Sequence, residues 1–146
     1  MPSIKLDAAA RSLHPSLPQA GSLHIIPSAK SLHSPLKWWR TRQPQSFTVK
    51  DLTPLRNSLF GTAQWDPDWP EAIAGSPVAT LRLGVKTLRR HGIEAPEIDL
   101  TLSAALACAI EGDATSPVLI SSALRRRSKL EPACLRLSER WLSARF

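Results

Sequence analysis

The sequence lacks the short motifs that mark the common catalytic sites. It contains no glycine-rich phosphate loop, no HExxH metal motif and no GxSxG nucleophile motif. Asp66, Asp68 and Glu71 lie close together, but acids in a turn just before a short helix usually cap that helix. We therefore expect a protein that is not an enzyme and that carries no cofactor.

Cysteine and closely spaced histidine are also scarce. The two cysteines, Cys108 and Cys134, lie 26 positions apart, and this spacing indicates neither a zinc site nor a disulfide framework. His14, His24 and His33 are nine or ten residues apart, whereas zinc ligands usually come in much tighter pairs. The sequence predicts no metal site, and both cysteines are expected to be small core residues.

Long hydrophobic runs are missing. The most apolar stretch, Leu100 to Ile110, is too short to cross a bilayer and contains Thr101 and Ser103. The N-terminus has no uninterrupted apolar segment of the kind that signal peptides carry. No integral membrane segment is predicted, and we expect a reducing, cytoplasmic setting. A minor alternative is organelle targeting through the N-terminal arm, which is rich in serine and poor in acids as transit peptides are.

Acidic residues are almost absent from the first 50 positions. Asp7 is the only one there, against seven lysines and arginines, and the whole chain carries a net charge of +7. Six prolines interrupt this segment and leave little room for helices longer than about two turns. The pattern predicts a flexible, largely disordered, Pro/Ser/His-rich basic arm over residues 1–50. Its charge favours nucleic acid or an acidic protein surface as the partner.

Between residues 51 and 75 the sequence predicts a short helix followed by a tryptophan-rich turn. Thr53 is a suitable N-cap, Pro54 a suitable first residue and Gly61 a suitable stop. The turn from Trp65 to Trp69 contains an Asp-Pro pair and presents two indoles close together. We predict that this region is a linker or docking segment, with Trp65 and Trp69 as its docking side chains.

From residue 76 to residue 146 the signals for helices are dense. They predict a mainly α fold, a small bundle of about four short helices. Proline at three of the starts and glycine after two of the ends divide the region into four helices: one capped by Ser76 and stopped by Gly92, one from about Asp99 to Glu111, one from Ser116 to about Arg127, and one that opens at Glu131-Pro132.

Hydrophobic spacing assigns a buried face to each of these helices. Val78, Leu81, Val85 and Leu88 repeat at spacings of 3 and 4, so we predict that this stripe of the first helix faces the core. The second helix is apolar in several directions and is predicted to be buried all round. The predicted core residues of the last two helices are Leu119, Ile120, Ala123, Leu124, Cys134, Leu135, Leu137, Trp141 and Leu142.

The arm contains a candidate nucleic-acid site in which two indoles lie among positive charges. Its residues are Lys37, Trp38, Trp39, Arg40 and Arg42. Positive side chains attract phosphates and indoles offer faces for base stacking, a combination that suits single strands or RNA. Two other interpretations stay open at this point: the tryptophans bury in a groove of a protein partner, or they pack onto the bundle.

Two further basic clusters lie in the helical region. The cluster on the first helix consists of Arg82, Lys86, Arg89 and Arg90. A phosphate backbone fits such a strip, although positive charge in a last helical turn also complements the helix dipole. The cluster at the end of the third helix consists of Arg125, Arg126, Arg127 and Lys129. Successive helical residues are turned by about 100°, so we predict a splayed helix end that still holds phosphates.

The leading hypothesis is a non-enzymatic accessory protein that binds nucleic acid mainly by electrostatics. Base-specific recognition by a helix-turn-helix is disfavoured, because the first residues of the would-be recognition helix are the apolar Val118, Leu119 and Ile120. The alternative is a protein–protein adaptor or assembly subunit that docks through the helical bundle and the tryptophan motifs.

Overall fold

Seven α-helices follow one another in the part of the chain that the structure describes, residues 34–146 of a computed structural model. They are α1 (Trp38–Thr41), α2 (Leu52–Phe60), α3 (Trp69–Ile73), α4 (Pro77–Arg90), α5 (Pro96–Ile110), α6 (Ser116–Arg127) and α7 (Ala133–Leu142). Short 3-10 turns occupy Pro35–Lys37, Pro44–Ser46 and Val49–Asp51. The predicted mainly α class is confirmed, and α4 to α7 are the four predicted helices. For residues 1–33, the prediction of a disordered arm lies outside the described residues.

The helix boundaries follow from local capping chemistry. Ser76 precedes α4, and its hydroxyl oxygen accepts a hydrogen bond from the amide of Ala79 at 3.2 Å. At α6 the serine of the Ser-Pro pair is itself the first helical residue, and Asp113 supplies the cap by accepting the Ser116 amide at 2.8 Å. Gly112 follows α5 with φ of +101°, a conformation that favours glycine.

Helix α5 forms the centre of the fold. Every residue from Thr101 to Ile110 is buried, as expected for a helix that is apolar in several directions. Helices α2, α4 and α6 and the turn at Pro35–Lys37 all pack against it. Among the described helices, none combines the length and the apolar character that a membrane crossing requires.

The buried face of α4 differs from the predicted one. Val78, Leu81 and Val85 are 68%, 41% and 40% exposed, and of the predicted stripe only Leu88 is buried. The buried face instead consists of Ala79, Thr80, Leu83, Gly84, Thr87 and Leu88. Most of these residues are small, so the helix packs on the face that allows the closest approach and leaves the bulkier face in water.

Gly84 shows how close that approach is. A Cβ at this position would lie 2.5 Å from Cδ2 of Leu119 on α6, which is closer than carbon atoms pack. On the neighbouring face, the hydroxyl of Thr87 donates to the carbonyl of Leu83 at 2.7 Å and lies 3.2 Å from the hydroxyl of Thr101 on α5. The polar atoms of this face are therefore satisfied without water.

The core predictions for the last two helices are largely confirmed. All four predicted core residues of α6 are buried. On α7, Cys134, Leu137 and Trp141 are buried, whereas Leu135 and Leu142 are about half exposed. The apolar spacing therefore identified the buried face of α7 but predicted that face to be wider than it is.

Residues 34–50, here called the front segment, belong to the packed unit, which begins at Ser34. The predicted arm boundary at residue 50 is therefore too late. Trp39 is fully buried, and its indole Nε1 donates to Asp99 Oδ1 at 2.9 Å. Arg40 donates to both oxygens of the same carboxylate, at 2.9 and 3.3 Å. Asp99 thus fixes the front segment on α5, and the prolines in this segment begin 3-10 turns instead of preventing structure.

The variant Gly84→Ala is expected to lower the free energy of unfolding. Its new methyl group would meet both methyl carbons of Leu119, which is itself buried, so either the Leu119 side chain must leave its position or the two helices must move apart. Overpacking of this kind typically costs about 1–3 kcal/mol. That cost outweighs the roughly 1 kcal/mol that alanine gains over glycine inside a helix. Chemical denaturation provides the measurement.

Gly61→Ala is the matched control, because the nearest atom to its new methyl group lies at 3.7 Å and no loss of stability is expected. Leu119→Ala should cost less in the Gly84→Ala background than alone, since the added methyl group occupies part of the cavity. Purely additive costs in the double variant would show that Gly84 and Leu119 do not limit the spacing of α4 and α6.

The variant Asp99→Ala is expected to loosen the front segment. It removes the acceptor of the buried Trp39 indole and the partner of Arg40. An unsatisfied buried donor typically costs about 1–3 kcal/mol, so the urea midpoint should fall. Glu94→Ala is the control, because Glu94 is exposed and forms no ion pair among residues 34–146. Equal midpoints for the two variants would contradict the anchoring role of Asp99.

Candidate nucleic-acid interface

The C-terminal ends of α4 and α6 lie side by side. Gly84 of α4 meets Leu119 of α6, and farther along the guanidinium of Arg126 donates to the carbonyl oxygen of Leu88. Because later residues of one helix meet later residues of the other, α4 and α6 run in the same direction. The two basic clusters therefore form one surface, here called the basic end, which consists of Arg89, Arg90, Arg125, Arg126 and Lys129.

The basic end keeps an excess of positive charge. All five of its side chains are exposed, and within residues 34–146 none of them forms an ion pair. Glu131 is occupied by Arg127, which donates to it at 2.7 Å and lowers its pKa. Glu97 faces His91 at 3.7 Å, and Glu94 is exposed in the loop between α4 and α5.

The arginines at the basic end also stabilise the helix ends. The last carbonyl groups of a helix lack hydrogen-bond partners within the helix, and Arg126 donates a hydrogen bond to one of them, the carbonyl of Leu88 in α4. Positive charge is favoured there by the helix dipole, which amounts to only about half an elementary charge at each C-terminus. The structural role therefore does not neutralise the surface, and most of its charge remains available to a ligand.

The predicted site in the front segment is not assembled. Trp39 is in the core, so it offers no face for base stacking. The side chain of Arg40 is 12% exposed and its charge is paired with Asp99. Trp38 and the half-buried Lys37 lie at the start of α1, and the aromatic face of Trp38 is occupied by Arg42.

Arg42 is engaged within the protein as well. Its guanidinium lies 4.7 Å from the ring centroid of Trp38 and 4.3 Å from that of Phe47. It also pairs with Asp51 at 3.3 Å. The combination of cations and indoles that suggested stacking and phosphate binding therefore stabilises the fold. Of the open interpretations, packing onto the bundle is the one that the geometry matches.

Arg82 and Lys86 are neutralised by the tryptophan-rich turn. Lys86 Nζ lies 2.8 Å from a carboxylate oxygen of Asp66 and 2.8 Å from one of Asp68, and Arg82 lies 3.2 Å from Asp68. Hydrogen bonds from Lys86 and Arg82 hold the pKa of Asp68 below its ordinary value of 3.8. Hydrogen bonds to the two carboxylates raise the pKa of Lys86. These two cations therefore belong to an internal ion-pair network, which separates them from Arg89 and Arg90.

The same turn packs its two tryptophans against the described part of their own chain. Trp69 is buried in the core, and Trp65 is half buried with its ring 5.6 Å from that of Trp69 and 6.4 Å from that of His91. Both indoles therefore dock onto the bundle of their own chain. Asp66 accepts the amide of Asp68 at 2.8 Å and so closes the turn just before α3. Helix α3 itself begins at Trp69 without a side-chain cap, so the expected capping of this helix by an acid is not what the geometry shows.

The sequence interpretation missed a pair of arginines on α7. Arg136 and Arg140 are both exposed, and Arg140 Nη1 donates to Gln43 Oε1 at 2.8 Å. Together with Gln43 and Pro132 they line a shallow groove between α7 and the front segment. Their spacing of four residues was visible in the sequence, but it is equally typical of an ordinary solvent-exposed helix face.

The candidate metal ligands give no site in the described part of the chain. Cys108 and Cys134 are free and buried, and burial raises the pKa of both thiols. No group of three His, Cys, Asp or Glu side chains that could hold a metal ion occurs among residues 34–146. His14, His24 and His33 lie outside the described residues.

Comparisons with protein-family models, with curated proteins and with solved structures find no match for this chain. The functional inference accordingly rests on the residues and their geometry.

The docking of the tryptophan-rich turn on α4 is expected to weaken in acid. The folded pKa values of Asp66 and Asp68 lie below 3.8, so the stability they contribute is fully present above about pH 4 and is lost as the pH falls through the folded values. Asp68→Asn should therefore flatten the acid side of the stability profile, measured by urea unfolding between pH 3 and 7. Glu71→Gln, at an exposed acid of α3 with no ion pair in residues 34–146, should leave the profile unchanged. An identical acid slope in Asp68→Asn and the parent protein would exclude this role.

Proposed function

We propose that this protein is a non-enzymatic accessory protein that binds nucleic acid through electrostatic contacts between the basic end and the phosphate backbone. The observation that carries the proposal is the hydrogen bond from Arg126 to Leu88, which joins the clusters of α4 and α6 into one exposed surface. Several arginines and a lysine on one face are the usual electrostatic footprint of a phosphate-binding surface. Residues 1–33 add three cations against one acid, which supports a role of the arm as a tether in the same binding.

The geometry favours contact with the backbone over contact with bases. Trp39 is buried and Trp38 is covered by Arg42, so these two indoles do not offer single strands the paired stacking platform that the sequence suggested. The first turn of α6 presents Val118 and buries Leu119, whereas its arginines lie at the C-terminal end. Duplex nucleic acid, bound with little dependence on base sequence, is therefore the proposed ligand.

The proposed setting is the cytoplasm. Two buried thiols that form no disulfide suit a reducing compartment, since free cysteine persists there as a small core residue.

Binding to a mixed-sequence duplex, measured by fluorescence anisotropy over a range of salt concentrations, tests the proposal. Each phosphate contact contributes about −0.9 to the slope of log affinity against log salt. The double variant Arg89→Gln/Arg125→Gln should therefore bind more weakly and show a slope shallower by about 2. Both side chains are exposed and form no hydrogen bond or ion pair among the described residues. The variant should therefore fold, with only the small loss of stability that follows from removing positive charge at two helix C-termini.

Lys50→Gln/Arg145→Gln is the matched control, because it removes the same charge from two exposed positions outside the basic end. This control should keep the slope of the parent protein. Equal losses in the two double variants would mean that net charge, and not the basic end, governs binding. No binding of the parent protein at low salt would end the proposal.

A protein–protein adaptor is the second candidate function, and one observation supports it. The Trp38/Trp39 motif cannot provide the anchor, because Trp39 belongs to the core. Helix α4, however, exposes aliphatic side chains at helical spacing, and such a face is typical of a docking surface.

A further inference from the structure

Helix α4 carries a row of apolar side chains that the other described residues leave partly exposed. The row consists of Val78, Leu81 and Val85, which are 68%, 41% and 40% exposed. Residues spaced three and four apart share one side of a helix, so the three side chains adjoin one another. Single exposed aliphatic residues are ordinary, whereas a contiguous row of branched ones forgoes burial free energy and marks an interaction site.

The charges that border this α4 row on its own helix are positive. Arg82 follows Val78 by one turn and Arg89 follows Val85 by one turn, so both arginines lie on the same side of α4 as the row. Arg89 is exposed and unpaired within residues 34–146. Arg82 pairs with Asp68 but keeps 54% of its side chain exposed.

Helix α6 extends the positive border. It runs beside α4, and Arg126 reaches the carbonyl oxygen of Leu88, which lies about one turn beyond Val85. A partner that covers the row therefore meets guanidinium groups at its margin. Charge complementarity requires that partner to carry acids next to its apolar residues.

Two other occupants of the row fit less well. Residues 1–33 of the same chain carry three cations against one acid, so their charge has the same sign as the border of the row. A second copy of the protein would bring two arginine borders together. Three side chains also supply far less than the roughly 800 Å² per partner that a stable dimer buries.

We propose that the α4 row is the docking site for an acidic amphipathic helix of a partner protein. Such a helix would place apolar residues at positions i, i+3 or i+4 and i+7 against Val78, Leu81 and Val85, over about two helical turns. Its glutamates or aspartates would face Arg89 and Arg126, which form no ion pair within residues 34–146. The inference does not rest on nucleic-acid binding, because the apolar contacts are made by the uncharged α4 row; only Arg89 and Arg126 at its margin are shared with the basic end.

A synthetic helical peptide of about 18 residues tests this proposal on the full-length protein. The acidic probe carries leucines along one face and glutamates beside them, and the matched probe carries lysine in place of each glutamate. Fluorescence anisotropy at physiological ionic strength should show saturable binding of the acidic probe and no binding of the lysine probe. Equal binding of both probes would overturn the proposal.

Variants of the row locate the binding. Leu81→Gln/Val85→Gln should lower the affinity for the acidic probe by about tenfold or more, because the apolar anchors of an interface carry most of its binding free energy. Val49→Gln/Leu135→Gln, which changes two exposed apolar residues outside α4, should keep the affinity of the parent protein. Unchanged binding of the probe to Leu81→Gln/Val85→Gln would exclude the row as the site.

Two further measurements separate the competing outcomes. Leu81→Gln/Val85→Gln should bind duplex nucleic acid with the same dependence on salt as the parent protein. If the peptide does not bind, the proposed nucleic-acid binding is therefore still supported, and if the duplex does not bind, the α4 row can still be a docking site. Sedimentation equilibrium of the parent protein should show a monomer. A dimer that Leu81→Gln/Val85→Gln dissociates would mean that a second copy covers the row, and the proposal would then be wrong.

Discussion

The enclosure of helix α5 is the constraint on which the other described elements depend. Between Thr101 and Ile110 four residues are alanine, and the small Ser103 and Cys108 lie among them. Small side chains allow α2, α4 and α6 to pack closely around α5, and the same crowding excludes water from all of its faces. Polar groups that reach α5 must then find partners on it, as the Leu36 carbonyl does by accepting the hydroxyl of Ser103 at 2.9 Å. The front segment is held by such hydrogen bonds as well as by the buried aromatic rings of Trp39 and Phe47.

The helices could be predicted from the sequence because their boundaries depend on neighbouring residues. The serine before Pro77 and the glycine after α5 act within a few positions of themselves, so a local pattern is sufficient to find them. The faces of the helices could not be predicted in the same way. The apolar spacing of α4 selected Val78, Leu81 and Val85, yet the helix buries the side that contains Gly84. Burial there is decided by how closely Leu119 can approach, which depends on a residue 35 positions away.

The candidate site shows the same division between local and distant information. Each cation of the basic end was identifiable from the sequence, but the contact that unites Arg126 with the end of α4 joins residues 38 positions apart. Some of the ion pairs that neutralise other cations also join residues far apart in the sequence, as Arg40 and Asp99 do across 59 positions. Sequence clusters therefore overstate the available charge, because they do not show which acids the fold brings to them.

The hydrogen bond from Arg126 to the end of α4 has a consequence for the proposed binding of phosphates. One guanidinium nitrogen is engaged by the Leu88 carbonyl, and this contact restricts the conformations that the long side chain can adopt. Ordering a side chain of this length at an interface otherwise costs about 0.5–1.5 kcal/mol. Arg126 thus differs from its exposed neighbour Arg125, whose side chain has no hydrogen bond or ion pair within residues 34–146. If the basic end binds phosphates as proposed, a guanidinium held at the end of α4 would favour one direction of approach for the phosphate group.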